Sequence, residues 1–123
     1  MGMKKILIVD DSRTVRESLK FFLTEEGYEV IQGADGQDAL NVIQDQNCDL
    51  VITDVNMPNM DGLTLIGELR KMKKFKFTPI LVLTTESQQN IMEKGKALGA
   101  TGWIVKPFDN EKVIGVIRKV LGD

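Results

Sequence analysis

Ile6-Leu7-Ile8-Val9-Asp10-Asp11-Ser12 sets a short, unbroken apolar run directly before two acids and a serine. A run of that length without polar alternation suits a strand covered on both faces, as the strands of a parallel sheet are. Ser12 is a good helix N-cap, and Val15, Leu19, Phe22 and Leu23 follow at helical spacing. Gly27 then suits the left-handed residue just past a helix end. The same punctuation repeats along the chain. Residues 28–31 read as a second strand, and Asp35-Gly36 opens a helix with Ala39, Leu40 and Ile43 inward. Residues 50–53 form a third strand ending in Asp54, and Leu63, Ile66 and Leu69 start a third helical stripe after the loop at 58–62. Residues 79–83 are a fourth strand running into Thr84-Thr85, with Ser87 capping a helix that passes Ile91 and stops near Gly99. Residues 101–105 are a fifth, running into Lys106-Pro107, and Asp109 caps a last helix carrying Val113, Ile114, Ile117, Val120 and Leu121.

Five strand-helix units imply an α/β fold: a parallel sheet with right-handed crossovers and helices on both faces. The 123 residues suffice for one domain, 1–123, with no internal linker. Ligands of such sheets lie beyond the carboxyl ends of the strands. The residues at those ends are Asp10, Asp11, Asp54, Thr84 and Lys106, distant in sequence but destined for one rim.

Three carboxylates on one rim repel one another and raise each other's pKa values. A hard cation with oxygen ligands relieves that, and Mg²⁺ takes one or two protein carboxylates together with waters and phosphate oxygens. Asp11 and Asp54 are the candidate direct ligands, Asp10 acts through water, and the backbone carbonyl of Asn56 is a third candidate because the chain turns there before Pro58. Lys106 brings a fixed positive charge able to pair with a carboxylate and then with a phosphoryl oxygen, and Thr84 brings a hydroxyl donor. Asp54 is then a nucleophile for phosphoryl transfer, helped by positioning and charge. Each of these residues alone is ordinary strand-end chemistry; their coincidence is the signal.

Composition removes other classes. There is no histidine, which excludes Ser-His and Cys-His pairs and histidine metal ligands. A net charge of −2 gives no electrostatic case for nucleic acid. Lys4-Lys5 and Lys71-Met72-Lys73-Lys74 read as solvated surface. The lone Cys48 allows no internal disulfide and reads as a partly buried structural thiol in a reducing cytoplasm. No apolar stretch reaches the length of a membrane span, and no signal-peptide pattern precedes the first strand. A phosphohydrolase of the haloacid dehalogenase type would need an Asp-x-Asp pair, whereas the acids after the first strand are adjacent and the third strand reads Asp54-Val55-Asn56. An FMN module would need a phosphate-cradling loop where Asp10-Asp11-Ser12-Arg13 stands, and no Walker A pattern occurs.

Ile6 to Ser12, Asp54-Val55-Asn56-Met57-Pro58-Asn59-Met60-Asp61-Gly62, Leu83-Thr84-Thr85 and Lys106-Pro107-Phe108 together resemble the receiver domain of two-component response regulators. Within that family the stretch 84–88 and the run 99–108 look like the stand-alone chemotaxis regulators of the CheY type. The resemblance implies a flavodoxin-like fold with strand order 2-1-3-4-5, an order it supplies and the residues alone do not. It further implies Mg²⁺ dependence, and phosphotransfer from a sensor histidine kinase of the CheA type onto Asp54. A slow self-catalysed loss of the phosphoryl group follows, with no turnover of an external substrate. It implies a cis Lys106-Pro107 bond, and Asn56 and Glu86 occupy the positions that tune phosphoryl lifetime. The switch position usually holds Tyr or Phe; here it is Trp103, coupled to Thr84. The output face is formed by the fourth helix, fifth strand and fifth helix, with Lys94, Lys112 and Lys119 on or near it. No output domain follows the last helix, so the expected partners are separate proteins: the kinase, a flagellar motor switch protein or a phosphatase, with no nucleic acid and no membrane. A phosphate-sink role is the alternative to a messenger.

Overall fold

A computed structural model describes residues 3–85 and 89–122. Five strands, β1 (Lys5–Val9), β2 (Glu29–Gly33), β3 (Leu50–Asp54), β4 (Ile80–Thr84) and β5 (Gly102–Val105), pair in parallel in the order β2-β1-β3-β4-β5. They alternate with helices α1 (Arg13–Glu25), α2 (Gly36–Val42), α3 (Gly62–Lys71), α4 (Gln89–Leu98) and α5 (Asn110–Leu121). This is the flavodoxin-like arrangement that the resemblance implies.

Side-chain alternation along the strands builds two cores, one on each side of the sheet. Ile6, Ile8, Leu50, Ile52, Leu81 and Leu83 pack with Leu19 and Leu23 of α1 and with Val113, Ile114 and Ile117 of α5. The intervening residues Leu7, Val9, Val51, Ile80 and Val82 face the other way, onto Ala39 of α2, Ile43 just beyond it, and Leu65, Ile66 and Leu69 of α3. Each fully buried Leu or Ile contributes roughly 1.5–3 kcal/mol, so both faces are held strongly.

Local signals set the helix ends. The side chains of Ser12, Asp35, Asp61 and Asp109 each accept a backbone N–H in the first turn of α1, α2, α3 and α5. Gly27, at φ +96°, lies just past α1 in the left-handed region. Ser87 lies outside the described residues. Strand ends moved by one or two residues. β2 begins at Glu29 and reaches Gly33, because its ladder runs the full length of β1, from Lys5↔Glu29 to Val9↔Gly33. Tyr28 turns its ring into the α1/α5 core instead. β4 starts after Pro79, and β5 after Thr101.

The lysine run after α3 departs from a plain solvated surface. It contains a 3₁₀ turn (Lys73–Phe75) that buries Phe75, while the Lys74 ammonium donates to the carbonyls of Ile43 and Gln46. Cys48 is buried, and burial pushes its thiol up to about 11, so it is an inert packing residue. Among the described residues no helix is long and apolar enough to cross a membrane.

The crossing of β3 into α3 decides how close the loop after Asp54 sits to the sheet. Gly62 donates its N–H to Val55 O at 2.8 Å, and a Cβ at Gly62 would overlap the carbonyl oxygen of Asp54. Gly62→Ala therefore forces backbone apart at the base of the site. We expect it to destabilise the domain by about 3 kcal/mol, measured by urea unfolding.

Candidate functional site

The sheet brings Asp10, Asp11, Asp54 and Lys106 together at the carboxyl ends of β1, β3 and β5. Carboxylate oxygens of Asp10, Asp11 and Asp54 all lie within 4.8 Å of one another. Asp10 is 0 % exposed and tied on every side. Its Oδ1 accepts the Ser12 N–H (2.8 Å) and its Oδ2 accepts Lys106 Nζ (2.9 Å). Its backbone carbonyl accepts Arg16 Nη1 (2.6 Å). Asp54 is 8 % exposed; its Oδ1 accepts the Val55 N–H (2.7 Å), and its Oδ2 faces Lys106 Nζ at 3.4 Å. Asp11 is exposed. Lys106 is anchored by its own N–H to Thr84 O at 2.7 Å, and the Lys106-Pro107 bond is cis.

Alternation explains part of this convergence. Asp10 and Asp54 continue the rows that carry Ile6 and Ile8 in β1 and Leu50 and Ile52 in β3, on the same side of neighbouring strands. Thr84 and Trp103 lie on the other side, where Thr84↔Val105 and Val82↔Trp103 are register pairs. Thr84 is 2 % exposed, and Trp103 is half-buried against the α2/α3 core. Asn56 is exposed in the loop directly after β3. Glu86 lies outside the described residues.

The electrostatics are those of a crowded anionic rim. Burial, and then the charge of Asp10, raise the Asp54 pKa above the ordinary carboxylate value; Lys106 and the Val55 N–H oppose this without cancelling it. For Lys106, burial alone would lower the pKa, but the hydrogen bond and charge of Asp10, followed by those of Asp54, hold it above the usual lysine value. The lysine is a fixed cation shared by two buried anions, with an exposed third acid beside them.

The donor set fits a hard divalent cation. It is all oxygen and carries more negative charge than one ammonium group neutralises. Both oxygens of Asp10 are already engaged, which suits an indirect role through water. Asp11 and Asp54 keep oxygens unclaimed by short hydrogen bonds from backbone groups, and the Asn56 carbonyl follows two residues along. Such a site suits an anionic ligand only with a cation present, and Lys106 supplies one of the positive charges.

Sequence position alone does not mark Arg16 as part of the site. One guanidinium ties the Asp10 carbonyl to Gln32 of β2, through Nη1 and Nε respectively. Its only local sign is its place on the first turn of α1, four residues after Ser12.

The response regulator receiver domain family model matches residues 6–118. The chain is similar to the solved chemotaxis response regulator CheY4 of Vibrio cholerae, 45% identical over 98% of this chain and 100% of that one, with a TM-score of 0.93. It is also similar to the response regulator TrrA of Thermotoga maritima, solved in complex with Mg(2+)-BeF, at 39% identity over 97% of this chain and 100% of that one (TM-score 0.86). The transcriptional regulatory protein PdtaR of Mycobacterium tuberculosis is 36% identical over 94% of this chain and 55% of its own length. The chain spans about half the length of several curated relatives it matches, PdtaR among them.

The raised pKa of Asp54 has a signed consequence. Because its folded-state value lies above the unfolded one, the ionised carboxylate opposes folding above that pKa, and the penalty disappears as pH falls through it. Asp54→Asn should raise the melting temperature of the metal-free protein by roughly 2–5 °C at neutral pH and low salt. The gain should shrink on acidification, as differential scanning calorimetry across pH would show.

Proposed function

The chain belongs to the response regulator receiver family, and from that premise we propose that Asp54 takes a phosphoryl group from a phosphohistidine on a sensor kinase. The observation that carries this reading is the pair of buried carboxylates, Asp10 and Asp54, bridged by one ammonium group, Lys106. The Val55 N–H fixes the plane of the Asp54 carboxylate, so an oxygen is presented toward the rim without rotational search. An Asp54 oxygen attacks phosphorus, the P–N bond of the donor breaks, and the ring nitrogen keeps that electron pair; with the proton already on its other nitrogen, the imidazole leaves neutral. Lys106, 3.4 Å from Asp54 Oδ2, is placed to neutralise charge on the transferring group. When bound, Mg²⁺ supplies further charge neutralisation and orients phosphoryl oxygens. Asp11 and Asp54, with the Asn56 carbonyl, would hold it, and Asp10 would support it through water. Hydrolysis later returns the Asp54 carboxylate and inorganic phosphate, with water as nucleophile; Asn56 and Glu86 set the lifetime. The protein turns over no other substrate.

The output reading follows from the same rim. Thr84 ends β4 beside Lys106, and Trp103 shares its side of the sheet. Movement of the Thr84 hydroxyl toward the phosphoryl group opens space for the Trp103 ring and alters the face formed by α4, β5 and α5. Indole is bulkier than the usual phenol, which works against full inward rotation. We place this switch in chemotaxis-type signalling in the cytoplasm, with a CheA-like kinase upstream and a motor switch protein or phosphatase as partner. Similarity to CheY4 supports this choice; similarity to PdtaR supports a transcriptional pathway instead. A phosphate sink uses the same site without the output face.

Acetyl phosphate with Mg²⁺ should add one phosphoryl group to the wild-type protein by intact mass, and none to Asp54→Asn. Labelling that survives that substitution would point to another acceptor. Lys106→Ala should remain folded in Mg²⁺ yet label at least about tenfold more slowly. Trp103 fluorescence should change in two steps, on adding Mg²⁺ and then beryllofluoride; a silent indole at saturation would remove the proposed switch.

A further inference from the structure

The loop between β3 and α3 carries Asn56 and is fastened to the start of α2 at two points. Asn59 Nδ2 donates to Asp35 Oδ2 at 2.7 Å, and Gly36 donates its N–H to Met60 O at 3.1 Å. The second contact is close: a Cβ at Gly36 would lie 2.7 Å from Met60 O and from Met60 Cγ. Asn59 sits at φ +66°, the one non-glycine residue at positive φ among those described, in a region Asn tolerates better than most residues do. Asp35 serves two masters. Its Oδ1 caps α2 by accepting the Asp38 N–H at 2.8 Å, and Asp38 Oδ2 returns the favour to Ala34 N–H at 2.8 Å. Its other oxygen is left for Asn59.

We infer that Asp35 and Asn59 form a latch that positions the β3–α3 loop, and with it the Asn56 carbonyl, for a divalent ion; this rests on the receiver reading above. Capping α2 requires only one oxygen of Asp35, and Ser or Asn there would cap as well. Satisfying the backbone at position 59 would be easier for Gly. What the observed pair adds is a side-chain tie across two loops, made by the amide of an exposed residue. The hydrogen bonds from Asp38 N–H and then Asn59 keep Asp35 below its ordinary carboxylate range, as expected for a carboxylate with both oxygens engaged. A carbonyl ligand on a free loop must be ordered when the cation arrives, whereas a latched loop presents it already placed. Asp35 and Asn59 are thus positioning residues, acting on the metal through the loop.

Three variants separate the latch from capping, backbone strain and charge. Asp35→Ser keeps a cap but is too short to reach Asn59. Asn59→Gly relieves the positive φ and removes the donor. Asp35→Asn removes the same charge as Asp35→Ser yet keeps the tie, because the Asn59 amide can turn over and accept. Mg²⁺ affinity is read by isothermal titration calorimetry on the full chain, and the Gly36 amide is followed by hydrogen exchange in metal-free protein. Asp35→Ser and Asn59→Gly should weaken Mg²⁺ binding about tenfold and speed Gly36 exchange, with Asp35→Asn close to wild type in both. Wild-type affinity in Asp35→Ser and Asn59→Gly, or an equal loss in Asp35→Asn, would overturn the latch while leaving the receiver reading intact. Wild-type protein that takes up no Mg²⁺ would overturn both.

Discussion

Asp10 and Asp54 are drawn out of water at the ends of adjacent strands and share a single ammonium group, that of Lys106. An isolated buried carboxylate is costly enough that it neutralises or finds a partner. Here one lysine serves two, and Asp11 adds a third negative charge beside them. The sheet makes the crowding unavoidable. β1 and β3 are neighbours, packed on both faces by apolar side chains, and their acids follow directly on strands that cannot slide without moving both cores. The fold thus holds the carboxylates close and leaves their repulsion to be relieved at the rim. In the proposed function, attraction for a cation and a nucleophile fixed beside it both follow from that single constraint.

The loops around the rim are held as firmly as the strands. Arg16 grips the carbonyl of Asp10, and Gly62 closes the neck of the β3–α3 loop onto Val55. At the opposite end of the sheet, the Arg70 guanidinium gathers the carbonyls of Phe75, Thr78 and Gly99, tying the end of α3 to the approaches of β4 and β5. Such ties fix the geometry around the rim.

The order of elements and the rim were legible because both are written locally. Apolar runs such as Ile6 to Val9 announce buried strands, Ser12 and Asp109 announce helix starts, and the acids and lysine follow their strands without interruption. The strand order came from family resemblance, since nothing in the periodicity says that β1 lies between β2 and β3. Strand ends were less legible: β2 ends where its ladder with β1 ends, a fact about the partner. The same holds for Arg16, Arg70, Lys74 and Asn59. Their side chains act on backbone carbonyls or carboxylates that only the folded chain brings near. In sequence Arg70 looks no different from Lys71, and Lys74 reads as one more surface charge.

The most direct test of the carboxylate crowding is the pH titration of the Asp54 side-chain carboxyl by carbon-13 NMR, with and without Mg²⁺. The metal-free midpoint should lie above that of an ordinary aspartate and fall when Mg²⁺ is added. An ordinary midpoint that Mg²⁺ leaves in place would mean that these acids neither strain against one another nor hold a cation, and the account of the site would fail with it.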